Sequence, residues 1–236
     1  MCEKTDELGG VLNCEHQVPF KKPLAEYLER QALAVKGLAI DIKMNTVVTP
    51  ELAELLKPDV IIAALGSRPV VPDIPGIDGA NVFSAEELYC DPERAGERVV
   101  IMGGGLVGAE LAIFLAGLGR MVEIIEMAHA LGDGGNKLHG LAVRLELARK
   151  EVTVNLLTTA VEITEKGLIG ESADGKRLFE ADTIAYAAGQ APLRVEADAL
   201  RFCAPEFYQI GDCLTPKTIA EATRLAYNIA RDVGRF

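Results

Sequence analysis

The chain has 236 residues, 49% hydrophobic and 25% charged, with a formal net charge of −11, a composition that supports a packed core and excludes intrinsic disorder. With no Trp and 5% aromatics, that core must be aliphatic. The acidic balance and the lack of a Lys/Arg cluster exclude nucleic acid as a partner, because a phosphate backbone needs a basic footprint.

The first residues, Met1 to Glu7, carry no apolar signal-peptide core, so a cytoplasmic location is expected. Leu24, Tyr27, Leu28, Ala32 and Val35 fall at helical spacing and predict a helix over 23–36, stopped at Gly37. Alternation over 38–44 predicts a strand, Pro50 opens a short helix over 51–56, and the apolar run 60–65 before Gly66 predicts a buried parallel strand. Pro69, Pro72, Pro75, Gly76 and Gly79 concentrate breakers in a crossing linker, and a domain boundary is expected between there and Ala95.

Beyond the linker the pattern predicts a strand over 98–102, a glycine turn over 103–105, an apolar helix over 106–118 and a strand over 121–126, which is one βαβ unit. The stretch 99–119 is the most apolar of the chain. Gly103, Gly104, Gly105, Gly108 and Glu110 interrupt it, so it reads as strand, turn and buried helix, and no membrane partner is expected. A helix over 137–150, three short strands between Val152 and Leu168, a strand over 183–187, another over 207–210 and an amphipathic helix over 218–233 complete the reading.

The segment 103–110, Gly-Gly-Gly-Leu-Val-Gly-Ala-Glu, places G-x-G-x-x-G between a predicted strand and a predicted helix, the context in which the motif binds a dinucleotide. Gly103 allows the tight turn, Gly105 lets a pyrophosphate approach, and Gly108 lets helix and strand pack closely. The helix start at Leu106 and Val107 offers free N–H groups and a positive dipole end. Glu126 ends the second strand near the spacing expected for a carboxylate that accepts from the adenosine ribose, favouring NADH over NADPH; a solvated strand-end acid is the rival reading. Glu110 either lies near the nicotinamide end, orienting a carboxamide or a lysine, or is an ordinary acid favoured by the helix dipole.

Cys2, Cys14, Cys90, Cys203 and Cys213 show no C-x-x-C or zinc-like spacing, and His16, His129 and His139 no metal-ligand pairing, so no metal site and no disulfide framework are expected. The serines include no G-x-S-x-G elbow. A dithiol reductase would need a closely spaced cysteine pair, which is missing.

Five segments, residues 3–10, 63–69, 103–110, 187–192 and 210–212, occur in the order used by two-dinucleotide flavoproteins. The chain resembles the C-terminal half of the NADH:flavin oxidoreductases related to 2,4-dienoyl-CoA reductase, 2-enoate reductase and trimethylamine dehydrogenase. That resemblance implies an α/β, two-dinucleotide-binding, Rossmann-like fold with an intact NAD-binding domain over 92–191. A truncated FAD-type domain would comprise 1–91 and a returning part, 192–236. It implies that Glu3 holds the FAD ribose, that Gly66 and Gly189 end strands where the chain crosses between domains, and that Gly211 and Asp212 meet the ribityl-phosphate region. Each has a structural rival as a surface acid or a strand-end turn. The family's first flavin pyrophosphate loop, its N-terminal barrel with FMN and its iron–sulfur cysteines have no counterpart here, so weak or absent FAD binding is expected and self-association stays open. The function expected is hydride transfer from NADH to FAD as a segment of an enoate- or dienoyl-type reductase; the alternative is a catalytically silent NAD(P)-binding module. No residue of the chain itself is expected to be catalytic.

Overall fold

The computed structural model describes residues 1–132 and 134–235. Its contacts divide the chain into two units, one of residues 1–13, 26–68 and 190–236, the other of 14–25 and 69–189.

Helix α1, Lys22–Lys36, forms where the apolar spacing predicted it. The strand expected over 38–44 does not form; an isolated bridge from Cys2 to Lys43 is its remnant. Leu38 and Ile40 are exposed, and alternation with no face to bury gives a strand no reason to persist. Helix α2, Pro50–Leu56, is capped by the Thr49 hydroxyl accepting from Leu52 N–H and ends at left-handed Lys57. Strand β1, Val60–Ala63, is followed by β2, Ser67–Pro69.

The boundary expected after Gly79 lies earlier, at Arg68, and the reason is a pair of elements that the breaker-rich reading passed over. Strand β3, Val82–Ser84, runs into helix α3, Ala85–Cys90, through a reciprocal cap in which Ser84 Oγ accepts from Glu87 N–H and Glu87 Oε2 from Ser84 N–H. The S-x-x-E spacing of that cap was present in the sequence.

Strand β4, Arg98–Met102, helix α4, Leu106–Gly117, strand β5, Met121–Ile125, and helix α5, Lys137–Arg149, follow as expected, with Glu126 just beyond its strand. After β6, Thr153–Asn155, three antiparallel strands form a ribbon: β7, Thr159–Thr164, β8, Gly167–Ser172, and β9, Gly175–Glu180. Three short strands over 152–168 were expected; the ribbon's second strand begins where that reading stopped, and its third was missed because its exposed charged residues break the apolar signal. Strand β10, Thr183–Tyr186, then completes an all-parallel sheet of order β3-β10-β4-β5-β6.

Both faces of this sheet are covered, which is why its strands read as continuous apolar runs. Val99, Ile101, Ile124 and Ala185 pack with α3, α4 and α5 residues such as Leu88, Leu111, Leu115 and Leu147. Their neighbours Val100, Met102, Ile125 and Ile184 face the other way, onto Ile163, Leu168 and Phe179 of the ribbon. Helix α4 is buried from Gly108 to Leu115, and each fully buried Leu there stabilises by about 1.5–3 kcal/mol.

In the other unit, β11, Gln190–Pro192, pairs with β2, and a short helix α6, Arg194–Asp198, precedes β12, Glu206–Gln209, which pairs in parallel with β1. Ala63, Ala197 and Cys213 form its small core with Leu65, Leu193 and Phe207. Helix α7, Ile219–Asp232, is capped by Thr218 and buries no residue completely. Among the described residues, no helix is long and apolar enough to cross a membrane.

Candidate functional site

The turn from β4 into α4 separates the three motif glycines by cause. Gly103 has φ of +104°, and a Cβ there would lie 2.5 Å from the Ala187 carbonyl oxygen. At Gly108 a Cβ would lie 2.1 Å from the Gly103 carbonyl oxygen and 3.2 Å from Ala187 Cβ, so both positions are closed to any larger residue by the protein's own backbone. Gly105 is different. It caps α4 with an ordinary φ of −66°, and among the described residues a Cβ there would meet nothing within 4 Å. The helix therefore begins at a glycine with room for a side chain, ahead of the free N–H groups of its first turn, which carries Leu106, Val107 and Gly108.

Glu126 lies against this turn. Its Oε2 accepts from Gly104 N–H at 2.6 Å and its Oε1 from Ala128 N–H at 2.7 Å. Each carboxylate oxygen keeps a further lone pair for a hydroxyl donor. The rival reading of Glu126 as a merely solvated acid misses these two backbone bonds, which fix the carboxylate beside Gly104.

Glu110 is one turn further along α4, and its side chain is only 8% exposed. It is not an ordinary helix-dipole acid: Lys21 Nζ lies 2.6 Å from Oε2, and His139 Nε2 lies 2.8 Å from Oε1. Lys21 also reaches Glu15 Oε1 at 2.8 Å and stands over the Tyr89 ring, 5.3 Å from its centroid. Burial first, then the charges of Glu15 and Glu110, push the Tyr89 hydroxyl well above its usual value, so it stays protonated and donates to the Val107 carbonyl oxygen at 3.1 Å. Glu15, Tyr89 and Glu110 thus converge on one lysine, and His139 holds the far oxygen of Glu110. Glu15, Lys21 and His139 were not singled out from sequence, because the cluster is organised around Glu110, whose contacts with Lys21 and His139 are distant in sequence and leave no local spacing to read.

Cys14 and Cys90 hydrogen-bond through their sulfurs although they are far apart in sequence, and burial pushes the Cys14 thiol upward in pKa. Among the described residues, no cluster of three His, Cys, Asp or Glu is arranged for a metal ion.

The remaining expected residues lie in the other unit or at its junctions. Glu3 Oε1 accepts from both the N–H and the hydroxyl of Thr5, each at 2.9 Å. Gly66 and Gly189 both adopt positive φ, and their carbonyls accept from Leu193 and Val70 N–H respectively. Gly211 turns the chain after β12, and Asp212 Oδ1 accepts from Lys217 N–H at 3.1 Å, ahead of α7. These bonds account for the turns without a ligand.

Comparison with known proteins gives the arrangement its relatives. Bilirubin reductase from Mediterraneibacter gnavus is 30% identical over 211 residues, 89% of this chain and 33% of that protein. Cinnamate reductase from Clostridium sporogenes is 27% identical over 237 residues, 99% of this chain and 35% of its own length. The solved complex of 2-naphthoyl-CoA reductase with 2-naphthoyl-CoA superimposes with a TM-score of 0.91 at 28% identity, covering 97% of this chain and 35% of that one. The chain thus spans about a third of the length of the relatives it matches. The family model for pyridine nucleotide-disulphide oxidoreductases matches residues 14–226, a span that contains the whole parallel sheet and its glycine turn, and the chain belongs to that family of oxidoreductases.

Proposed function

We propose that unit 14–25 and 69–189 binds NADH at the turn between β4 and α4, and that the chain serves an NADH-dependent flavin oxidoreductase of enoate or dienoyl type. The observation that carries this reading is Gly105. Its two motif partners are glycine because backbone atoms leave them no room, whereas Gly105 faces open space with an ordinary φ. Its lack of a side chain then serves something outside the fold. A pyrophosphate suits that space, because the first N–H groups of α4 supply donors and the positive end of the helix dipole.

In this reading Gly103 and Gly108 shape the cradle, and Gly105, Leu106 and Val107 line it. Glu126 offers its free lone pairs to the adenosine ribose hydroxyls, and its charge disfavours a 2′-phosphate. Glu110 has the role of orienting a lysine, and that lysine is Lys21: with two carboxylates around it, its ammonium is a fixed cation for the reducing end of the cofactor. Glu3, Gly66, Gly189, Gly211 and Asp212 are assigned to the flavin side. When bound, the nicotinamide supplies a hydride and FAD accepts it; the residues of this chain bind, orient and hold charge.

Calorimetric titration of the purified chain with NADH tests the site, with Gly105→Val as the decisive variant. Lost binding in a variant that keeps its unfolding midpoint supports the assignment, and unchanged affinity refutes it. Addition of FAD and then NADH separates two outcomes. Bleaching of the flavin band supports hydride transfer, while NADH binding without bleaching favours a silent nucleotide-binding module.

A further inference from the structure

We infer that Gly132 is a positioning residue for the nucleotide site: its N–H holds the Gly104 carbonyl and thereby fixes the Gly105 N–H in the direction that serves a phosphate. The inference rests on the nucleotide reading above and adds to it a residue outside the glycine motif.

Gly103, Gly104 and Gly105 follow one another with no side chain to hold their peptide planes, which leaves each plane more freedom than in an ordinary turn. Rotation of one plane by half a turn exchanges its N–H and its carbonyl. For a bound anion that exchange is decisive, because a donor is replaced by an oxygen with partial negative charge.

The fold ties down each plane from outside the motif. Gly103 N–H donates to the Ile125 carbonyl oxygen at 2.9 Å, and Gly104 N–H to Glu126 Oε2 at 2.6 Å. The next plane, between Gly104 and Gly105, is held through its carbonyl, which accepts from Gly132 N–H at 2.9 Å. Gly132 belongs to the connection from β5 to α5. A trans peptide is planar with its C=O and N–H antiparallel, so a carbonyl drawn toward Gly132 turns the Gly105 N–H to the opposite side. There it has no acceptor among the described residues, and neither do the N–H groups of Leu106, Val107 and Gly108 that follow. The first of these donors is thus aimed by a bond made behind it.

The close approach that makes this bond explains a further glycine. A Cβ at Gly132 would lie 3.3 Å from Gly105 Cα and 3.8 Å from the Gly104 carbonyl oxygen. A Cβ at Gly104 would lie 2.5 Å from Leu131 Cδ2 and 3.0 Å from Glu126 Cβ. Gly104 is therefore glycine so that the connection can lie against the turn, whereas Gly105 is left free for a ligand. Leu131, half-buried against the larger core, anchors the connection there. Loss of one pre-aimed donor to a charged phosphate oxygen weakens binding by about tenfold to a hundredfold.

The experiment compares NADH with adenosine, which carries ribose and base but no phosphate, on the native chain, Gly132→Pro and Gly132→Ala. Proline has no N–H and deletes the bond. Alanine keeps the N–H and requires its neighbour to give by only a few tenths of an ångström. Calorimetry reads NADH, and NMR titration reads the weaker adenosine. On the native chain NMR also follows the scalar coupling between Gly132 N and the Gly104 carbonyl carbon, and the Gly105 amide proton as NADH is added. The coupling should be present, and the amide proton should move downfield as it gains an acceptor. Gly132→Pro should bind NADH about tenfold to a hundredfold more weakly, with adenosine within about twofold of native, and Gly132→Ala should lose no more than about threefold for NADH. Equal losses for NADH and adenosine in Gly132→Pro would mean that the bond merely supports the fold, and overturn the inference. Native-like NADH affinity in that variant, a missing coupling or an unmoved Gly105 amide proton overturns it as well. Where Gly132→Pro does not fold, the two native-chain signals decide. Absence of NADH binding by the native chain refutes the nucleotide reading itself, an outcome distinct from all the others.

Discussion

Adding one methyl group at Gly108 tests whether the glycine turn is shaped by contact between backbone and helix. In Gly108→Ala the new Cβ would stand 2.1 Å from the Gly103 carbonyl oxygen and 3.2 Å from Ala187 Cβ. An unstrained carbon–oxygen contact is about 3.3 Å or more, so α4 must retreat by about 1 Å. No rotamer change can relieve the clash, since the atoms involved are backbone and Cβ. A gap of that size under Leu111 and Leu115, both fully buried, forfeits about a quarter to a half of their dispersion contact with the sheet. Overpacking typically costs about 1–3 kcal/mol, and the upper end applies here. For a chain of this size that is about 6–12 °C in unfolding midpoint. Gly105→Ala is the matched control: among the described residues nothing lies within 4 Å of its new Cβ, and its small capping loss is offset by reduced unfolded-state freedom, leaving a net effect below about 1 kcal/mol. Thermal unfolding by circular dichroism reads both variants. Equal midpoints for the two would refute the packing argument.

Three further perturbations follow. Glu126→Ala should narrow the preference for NADH over NADPH about tenfold, because a charged hydrogen bond of about 1.5 kcal/mol is lost for one nucleotide and a repulsion is removed for the other; paired calorimetric titrations read it, and comparable native affinities for both nucleotides would count against it. Lys21→Met leaves the Glu15 and Glu110 carboxylates facing each other with little solvent and should cost about 3 kcal/mol in urea unfolding, much of it recovered in the double variant with Glu110→Gln. Asp182, held below its ordinary value of 3.8 by hydrogen bonds from the Arg98 side chain and N–H, stabilises the fold above that value and loses its contribution as pH falls through the lowered one; Asp182→Asn should therefore lower stability at pH 6 and flatten the acid limb below pH 4, and an unchanged limb in acid unfolding would exclude the linkage.

Much of the fold was legible because the sheet is buried on both faces, so that its strands and α4 announce themselves as apolar runs bounded by glycine. Leu38 to Met44 misled for the opposite reason, since alternation signals a strand only where one face is covered. The ribbon was obscured by its exposed residues: Lys176 and Arg177 in β9 carry no apolar period. At the candidate site, the glycine turn and Glu126 were readable from local spacing, and Glu110 was recognised as an acid in need of a partner. Its partners were not, because Lys21 and His139 come from a segment before α1 and from α5, and no short-range pattern encodes a meeting of three elements. The capped turn at Ser84 was legible in principle through its S-x-x-E spacing but was overshadowed by the preceding prolines.

The sheet order also constrains how the chain can be made. Strand β10, Thr183–Tyr186, sits between β3 and β4, which are synthesised about a hundred residues earlier. Until it arrives, a nascent chain emerging from the ribosome has β4 and β3 with facing edges unpaired and Val100 and Ile101 uncovered on that side. Strand β1 waits in the same way for β12, Glu206–Gln209. Neither unit can close its sheet during most of translation, so folding is concentrated at the end of synthesis, and open apolar edges of this kind recruit chaperones or neighbouring chains. Ribosome stalling between residues 150 and 180 should therefore yield chains that bind a holdase and resist refolding, whereas release of the finished chain lets both late strands insert and hides the edges from it.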